Sequence, residues 1–104
     1  TNCLRNDKNL ISLKKSAIVI NTARGEIVDE KFLLSMLKQN KIISAGFDVY
    51  ENEPILKPEF YKLKNVVLLP HIGSATVEAR NNMSLLAAKN VIAVLSGKRA
   101  ITPV

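Results

Sequence analysis

The chain has 104 residues, 47% hydrophobic and 23% charged, the size of one small domain with one apolar core, and this argues against disorder. Fifteen Lys and Arg against nine Asp and Glu give a formal charge of +6. The basic residues are scattered (Lys14–Lys15, Lys62 and Lys64, Lys98–Arg99), which favours a lysine-rich solvated surface over a stripe for nucleic acid or anionic lipid. Cys3 alone excludes an intramolecular disulfide and suits a reducing, cytoplasmic compartment, and nothing near it would activate its thiol. No apolar run reaches the ~18 residues of a membrane helix, and the polar first residues lack a signal-peptide pattern.

In chain order, Asn6 is a candidate cap for a short helix over residues 7–15, with Leu10, Ile11 and Leu13 inward. Residues 16–21 form a continuous β-branched run, the pattern of a strand buried on both faces of a parallel sheet. Thr22 to Gly25 is the loop at its carboxyl end. Val28 or Asp29 opens a helix to about Gln39, with Phe32, Leu33, Met36 and Leu37 at helical spacing and Asn40 as its stop. A second buried strand runs over residues 42–49, and 51–64 is mostly loop, punctuated by Pro54 and Pro58, with one helical turn near 59–63. A third strand covers 66–69 and ends at Pro70. The last helix is long, capped by Ser74 or Thr76 and ended by Gly97, with Ala79, Met83, Leu86, Ala87, Val91 and Val94 in one apolar stripe. This order predicts an α/β fold whose parallel strands bring their carboxyl ends to one edge, where ligands bind in such sheets.

Three loops on that edge carry groups with chemistry. His71, the only histidine, follows Pro70, and an imidazole is the side-chain type suited to exchanging a proton with a substrate oxygen at physiological pH. A lone histidine is more often structural, and only its place at a strand end raises the catalytic reading. Glu53 precedes Pro54, which biases its backbone toward an extended form. A carboxylate beside His71 would orient the ring and favour its imidazolium; otherwise Glu53 belongs to a solvated acidic loop. Arg24, read as buried at a strand end, needs an anion; it would grip a small carboxylate or form a structural salt bridge.

Asn21-Thr22-Ala23-Arg24-Gly25 with Val28-Asp29-Glu30 resembles the N-T-A-R-G and V-D-E motifs of the D-isomer-specific 2-hydroxyacid dehydrogenase family. Ala45 to Pro54 resembles its A-G-L-D-V-F-E-x-E-P segment, and Pro70 to Thr76 its P-H-I-G-S-A-T segment. All three occur in order over nearly the whole chain, and the ending through Ala88, Asn90 and Thr102-Pro103-Val104 is most similar to the glyoxylate/hydroxypyruvate reductase branch. The resemblance implies an NAD- or NADP-dependent reduction of a small 2-oxo acid to the D-2-hydroxy acid. It makes Arg24 the substrate-carboxylate ligand, His71 the proton donor and Glu53 the partner of His71. It also places Thr22, Ala23, Arg24, Asp48, His71, Ile72 and Gly73 beside the cofactor, Asp48 at the nicotinamide carboxamide, and it implies a homodimer, with no metal, nucleic acid or membrane partner.

Two departures qualify it. Lys15 stands where the family often has proline, and no G-x-G-x-x-G pyrophosphate loop occurs in the chain; that loop is expected before residue 1. Residues 1–96 are accordingly expected to be the second half of a Rossmann-like coenzyme domain, with 97–104 a remnant leading to the substrate domain, and the fragment alone is expected to be inactive. The alternative is a noncatalytic, dinucleotide-sensing relative that binds protein partners.

Overall fold

The computed structural model describes residues 7–104; the expected cap Asn6 and the thiol Cys3 lie outside that range. The chain divides into two compact units, one ending at Gly73 and one spanning Ser74–Val104. The first unit holds helix α1 (Asp7–Ile11), strand β1 (Ile18–Asn21), helix α2 (Glu30–Lys38), strand β2 (Ser44–Phe47) and strand β3 (Val66–Leu68). Single 3-10 turns cover Gly25–Ile27 and Pro58–Lys62.

Helix α1 is shorter than its apolar spacing predicts. Ser12 Oγ donates to the Asn9 carbonyl at 2.8 Å and Leu13 N–H turns back to Leu10 O at 3.1 Å, so local bonds take carbonyls that a longer helix would use. Leu10 is fully buried, whereas Ile11 is 63% exposed, contrary to its expected inward place.

Helix α2 starts as its sequence predicts. Asp29 is the N-cap, its carboxylate accepting from Phe32 N at 2.9 Å. At the other end Asn40 takes φ +52°, with Asn40 N–H bonded to Leu37 O at 3.2 Å and Lys41 N–H to Met36 O at 2.9 Å. This paired closure satisfies the last carbonyls, and asparagine tolerates the left-handed turn better than most residues.

The sheet is parallel in the order β1-β2-β3, with Val19 opposite Ala45 and Ala45 opposite Val66. Side chains alternate across it. Val19, Ala45, Phe47, Val66 and Leu68 face a core built with Leu10, Leu33, Met36, Leu37 and Phe60. Phe60 is fully buried and meets Phe47 edge-on at 5.0 Å between ring centres. The other face is open: Ile18, Ile20 and Val67 are 63%, 70% and 62% exposed. The expectation of strands buried on both faces is therefore corrected, because the first unit covers one side of its sheet only. The strands are also shorter than expected, 44–47 in place of 42–49 for β2, although Ile43 N–H to Ala17 O at 3.1 Å and Asp48 N–H to Asn21 O at 3.0 Å continue the bonding by one residue at each end.

In the second unit, helix α3 (Val77–Leu95) is capped by Thr76, whose Oγ1 accepts from Ala79 N at 3.1 Å. It ends as α2 does, with Gly97 at φ +73°, Gly97 N–H on Val94 O and Lys98 N–H on Ala93 O. Asn90 Oδ1 accepts from the amides of Ile101 and Thr102 and fixes the last turn of chain to the helix. The apolar stripe of α3 is exposed except for the half-buried Ala79, and Leu85, Ile92 and Leu95 on its other sides are exposed as well. No helix among the described residues is long and apolar enough to cross a membrane.

Candidate active site at the carboxyl edge of the sheet

The parallel strands end at Asn21, Phe47 and Leu68, so the loops after them share one edge. Two backbone bonds extend the ladder into these loops: Asp48 N–H to Asn21 O at 3.0 Å and Leu69 N–H to Phe47 O at 2.8 Å.

In the first loop, buried Asn21 makes an Asx turn, Oδ1 accepting from Ala23 N at 3.2 Å while Nδ2 donates to Arg24 O at 2.9 Å. That fixes Thr22, Ala23 and Arg24. Arg24 is exposed, not buried as expected, and its Nη1 donates to Ala23 O at 2.7 Å. A guanidinium has five N–H donors, so this one side-chain bond among the described residues leaves most of the fork open to them. Gly25 is buried directly on the second loop; a Cβ there would overlap the Tyr50 carbonyl and the Glu51 nitrogen. No other residue type permits that approach.

The second loop carries Asp48, Tyr50 and Glu53, and its Glu53–Pro54 peptide is cis. Glu53 Oε1 accepts from Tyr50 N–H at 2.9 Å, and Oε2 lies 2.6 Å from His71 Nδ1. The His71 hydrogen bond, followed by the Tyr50 amide and then by the charges of His71 and Arg24, holds the Glu53 carboxyl below its ordinary range. An ionised carboxylate only accepts, so Nδ1 carries the shared proton and Nε2 is the ring nitrogen left for another partner. Both side chains remain open to solvent, Glu53 at 32% and His71 at 46%. A cavity of about 140 Å³ beside them is lined by Tyr50, Glu53, Pro54, Leu56, Pro70 and His71.

The third loop holds His71 at φ +56°, a left-handed conformation that costs a non-glycine residue about 1–2 kcal/mol. Such a conformation persists where surrounding bonds over-determine it. Asp48, 3% exposed, supplies them: Oδ1 accepts from Ile72 N at 2.8 Å and Oδ2 from Gly73 N at 2.7 Å. A Cβ at Gly73 would sit 2.9 Å from Oδ2, so the carboxylate or the loop it holds would have to shift. Asp48 thus has a role the sequence did not reveal, although its oxygens keep lone pairs for a further donor.

Tyr50 joins all three loops. Its amide binds Glu53, its carbonyl abuts Gly25, and its buried hydroxyl donates to Leu69 O at 2.7 Å, two residues before His71. Burial, opposed in part by the Leu69 bond, raises the pKa of that hydroxyl. A tyrosine buried among Phe47 and Phe60 must place its hydroxyl, and that burial is a tertiary fact.

A parallel α/β sheet with a histidine–carboxylate pair and an arginine on its carboxyl edge has the arrangement at which open α/β folds place their ligands. Comparison with known proteins names the class. The family described as D-isomer specific 2-hydroxyacid dehydrogenase, NAD binding domain, matches residues 1–73, and the chain belongs to it. It is 50% identical over 98 residues to glyoxylate reductase of Thermococcus kodakarensis, covering 94% of this chain and 29% of that protein. Glyoxylate/hydroxypyruvate reductase B of Erwinia tasmaniensis is 49% identical over 92 residues, 88% of this chain and 29% of that protein. Among solved structures, NADPH-dependent glyoxylate/hydroxypyruvate reductase of Sinorhizobium meliloti, in complex with NADP and malonate, superposes with a TM-score of 0.88 at 42% identity, over 96% of this chain and 31% of that one. The chain therefore spans under a third of the length of the relatives it matches, and its sheet is part of a Rossmann-type coenzyme fold.

Proposed function

We propose that this chain is part of an enzyme that reduces a small 2-oxo acid, of the glyoxylate or hydroxypyruvate type, to the D-2-hydroxy acid with NADH or NADPH. The observation that carries the reading is the 2.6 Å pairing of His71 Nδ1 with Glu53 Oε2 beside the loop of Arg24. Residues 1–96 would belong to the coenzyme domain and 97–104 would lead toward the substrate domain.

The residues present suit the nicotinamide end of the cofactor. Thr22, Ala23, Asp48 and the His71–Gly73 backbone line one edge, Gly73 is bare where a side chain would meet Asp48 Oδ2 at 2.9 Å, and Asp48 retains acceptor capacity for a carboxamide. When bound there, the reduced nicotinamide supplies a hydride to the carbonyl carbon. Glu53 holds the imidazolium through Nδ1 and so turns Nε2 outward. Nε2–H gives its proton to the carbonyl oxygen, which leaves a neutral imidazole and the hydroxyl group. The open donors of Arg24 clamp the substrate carboxylate and point the carbonyl at Nε2.

The test is a steady-state assay of the full-length protein, following reduced-cofactor absorbance with glyoxylate and with hydroxypyruvate. Turnover is expected, and its absence with every 2-oxo acid tried would sink the reading. In the same assay Arg24→Ala is expected to raise KM for the oxo acid and lower kcat/KM by roughly 10-fold or more, since hydrogen bonds to charged groups contribute about 1.5–3 kcal/mol. An unchanged KM and kcat would remove Arg24 from the substrate site. On family resemblance the full-length protein is proposed to be a cytoplasmic homodimer, and light scattering giving a monomer mass would overturn the dimer.

A further inference from the structure

We propose that Glu30, on the first turn of α2 and outside the Arg24, Glu53 and His71 trio, is a positioning residue that holds the second loop so that Glu53 meets His71. The inference rests on the catalytic reading above and deepens it. Glu30 is 3% exposed, a burial that carboxylates rarely show without strong partners. It spends both oxygens on the second loop and its continuation. Oε1 accepts from Glu51 N–H at 2.7 Å, and Oε2 lies 3.0 Å from Lys57 Nζ. Lys57 also pairs with the Glu51 carboxylate, so Glu30 and Lys57 close on residue 51 from its amide and from its side chain. Burial alone would lower the Lys57 pKa, but its bonds to Glu51 and Glu30 outweigh that and raise it, so the ammonium stays charged.

The held amide matters because of its position. The Tyr50–Glu51 peptide is the surface on which Gly25 rests, and the Tyr50 N–H one residue earlier orients Glu53. Glu30 therefore fixes the strip of backbone from which both Arg24 and Glu53 take their places. Its two oxygens are taken by Glu51 N–H and by the Lys57 ion pair, and it does not cap α2, since Asp29 already caps that helix. A buried carboxylate that grips a loop amide across 21 residues of sequence is a clamp on that loop.

The experiment uses the full-length protein carrying Glu30→Ala and Glu30→Gln. Glutamine keeps a carbonyl oxygen for Glu51 N–H; alanine does not. With alanine, kcat is expected to fall between roughly 10-fold and about 100-fold, the scale of a misplaced catalytic group, with KM for the reduced cofactor little changed. The acid limb of kcat should move to higher pH. Glu53 then loses the bonds from His71 and Tyr50 that depress its pKa; His71 and Arg24 are the charged groups facing it. Glutamine should restore most of the activity and return the limb. A carboxyl carbon NMR titration of Glu53 reads the same displacement without turnover, so it stands even if no 2-oxo acid is reduced. A lower melting temperature with unchanged kcat, unchanged limb and unchanged Glu53 titration would make Glu30 a stability residue only and overturn the proposal. Should alanine fail to fold, Glu30→Gln decides: a limb or kcat as damaged as His71 loss would contradict the amide-acceptor role, and near-wild-type behaviour would support it.

Discussion

Replacing His71 by glutamine in the full-length protein is expected to lower kcat by about 100-fold to 10,000-fold, the usual contribution of a positioned general acid. Glutamine keeps a donor that can face Glu53, but it holds no proton transferable near neutral pH. Cofactor affinity should change little, because Asp48 grips the amides of Ile72 and Gly73, not the imidazole. Fluorescence titration with reduced cofactor separates the two effects. Near-full turnover by His71→Gln would remove the histidine from proton transfer. The pair also has a pH signature. The depressed pKa of Glu53 keeps its carboxylate charged below the ordinary carboxylate range. The pairing with His71 is thus fully present above the unfolded glutamate pKa and is lost as pH falls through the lower folded value. His71→Gln replaces the hydrogen bond that is the first cause of that depression with a neutral amide donor and removes the histidine charge that adds to it, so the Glu53 titration should move to higher pH.

The second large effect is expected from Gly25→Ala. A methyl group there overlaps the Tyr50 carbonyl and the Glu51 nitrogen, and both obstacles are backbone. A flexible side chain could swing aside; a peptide held by Glu30 at 2.7 Å and continuous with the Glu53 anchor cannot. Overpacking of this kind costs typically about 1–3 kcal/mol, and here relief requires the Arg24 loop and the Glu53 loop to part. The expected outcome is a lower melting temperature together with a kcat/KM loss on the order of 100-fold measured well below melting. If activity per folded molecule were unchanged, the contact would be one of stability and would not set the spacing of Arg24 and Glu53.

Much of the chemistry was legible in the residues. The apolar runs at Ile18 to Ile20 and Val66 to Leu68, broken by Arg24-Gly25 and Pro70-His71, placed reactive groups just past strand ends, and the parallel sheet put those ends on one edge. Asn40 and Gly97 marked helix ends, and the structure selects Asp29 over Val28 and Thr76 over Ser74 at the starts, because capping is a local matter of one side chain and one or two dihedral angles. Where local bonds competed, as with Ser12 on Asn9, the apolar spacing overran the true helix.

What the sequence by itself determined about this protein is its set of elements, their order and the three loops that carry Arg24, Glu53 and His71. Only the tertiary structure decided that His71 Nδ1 stands 2.6 Å from Glu53, that Arg24 is exposed, that one sheet face lies open, and that Asp48, Tyr50 and Glu30 hold the loops. The reason is physical. Periodicity and capping act between residues a few places apart, whereas the bonds of Glu30 to Glu51 and of Asp48 to Ile72 and Gly73 span 21 to 25 residues and exist only once strand register is set.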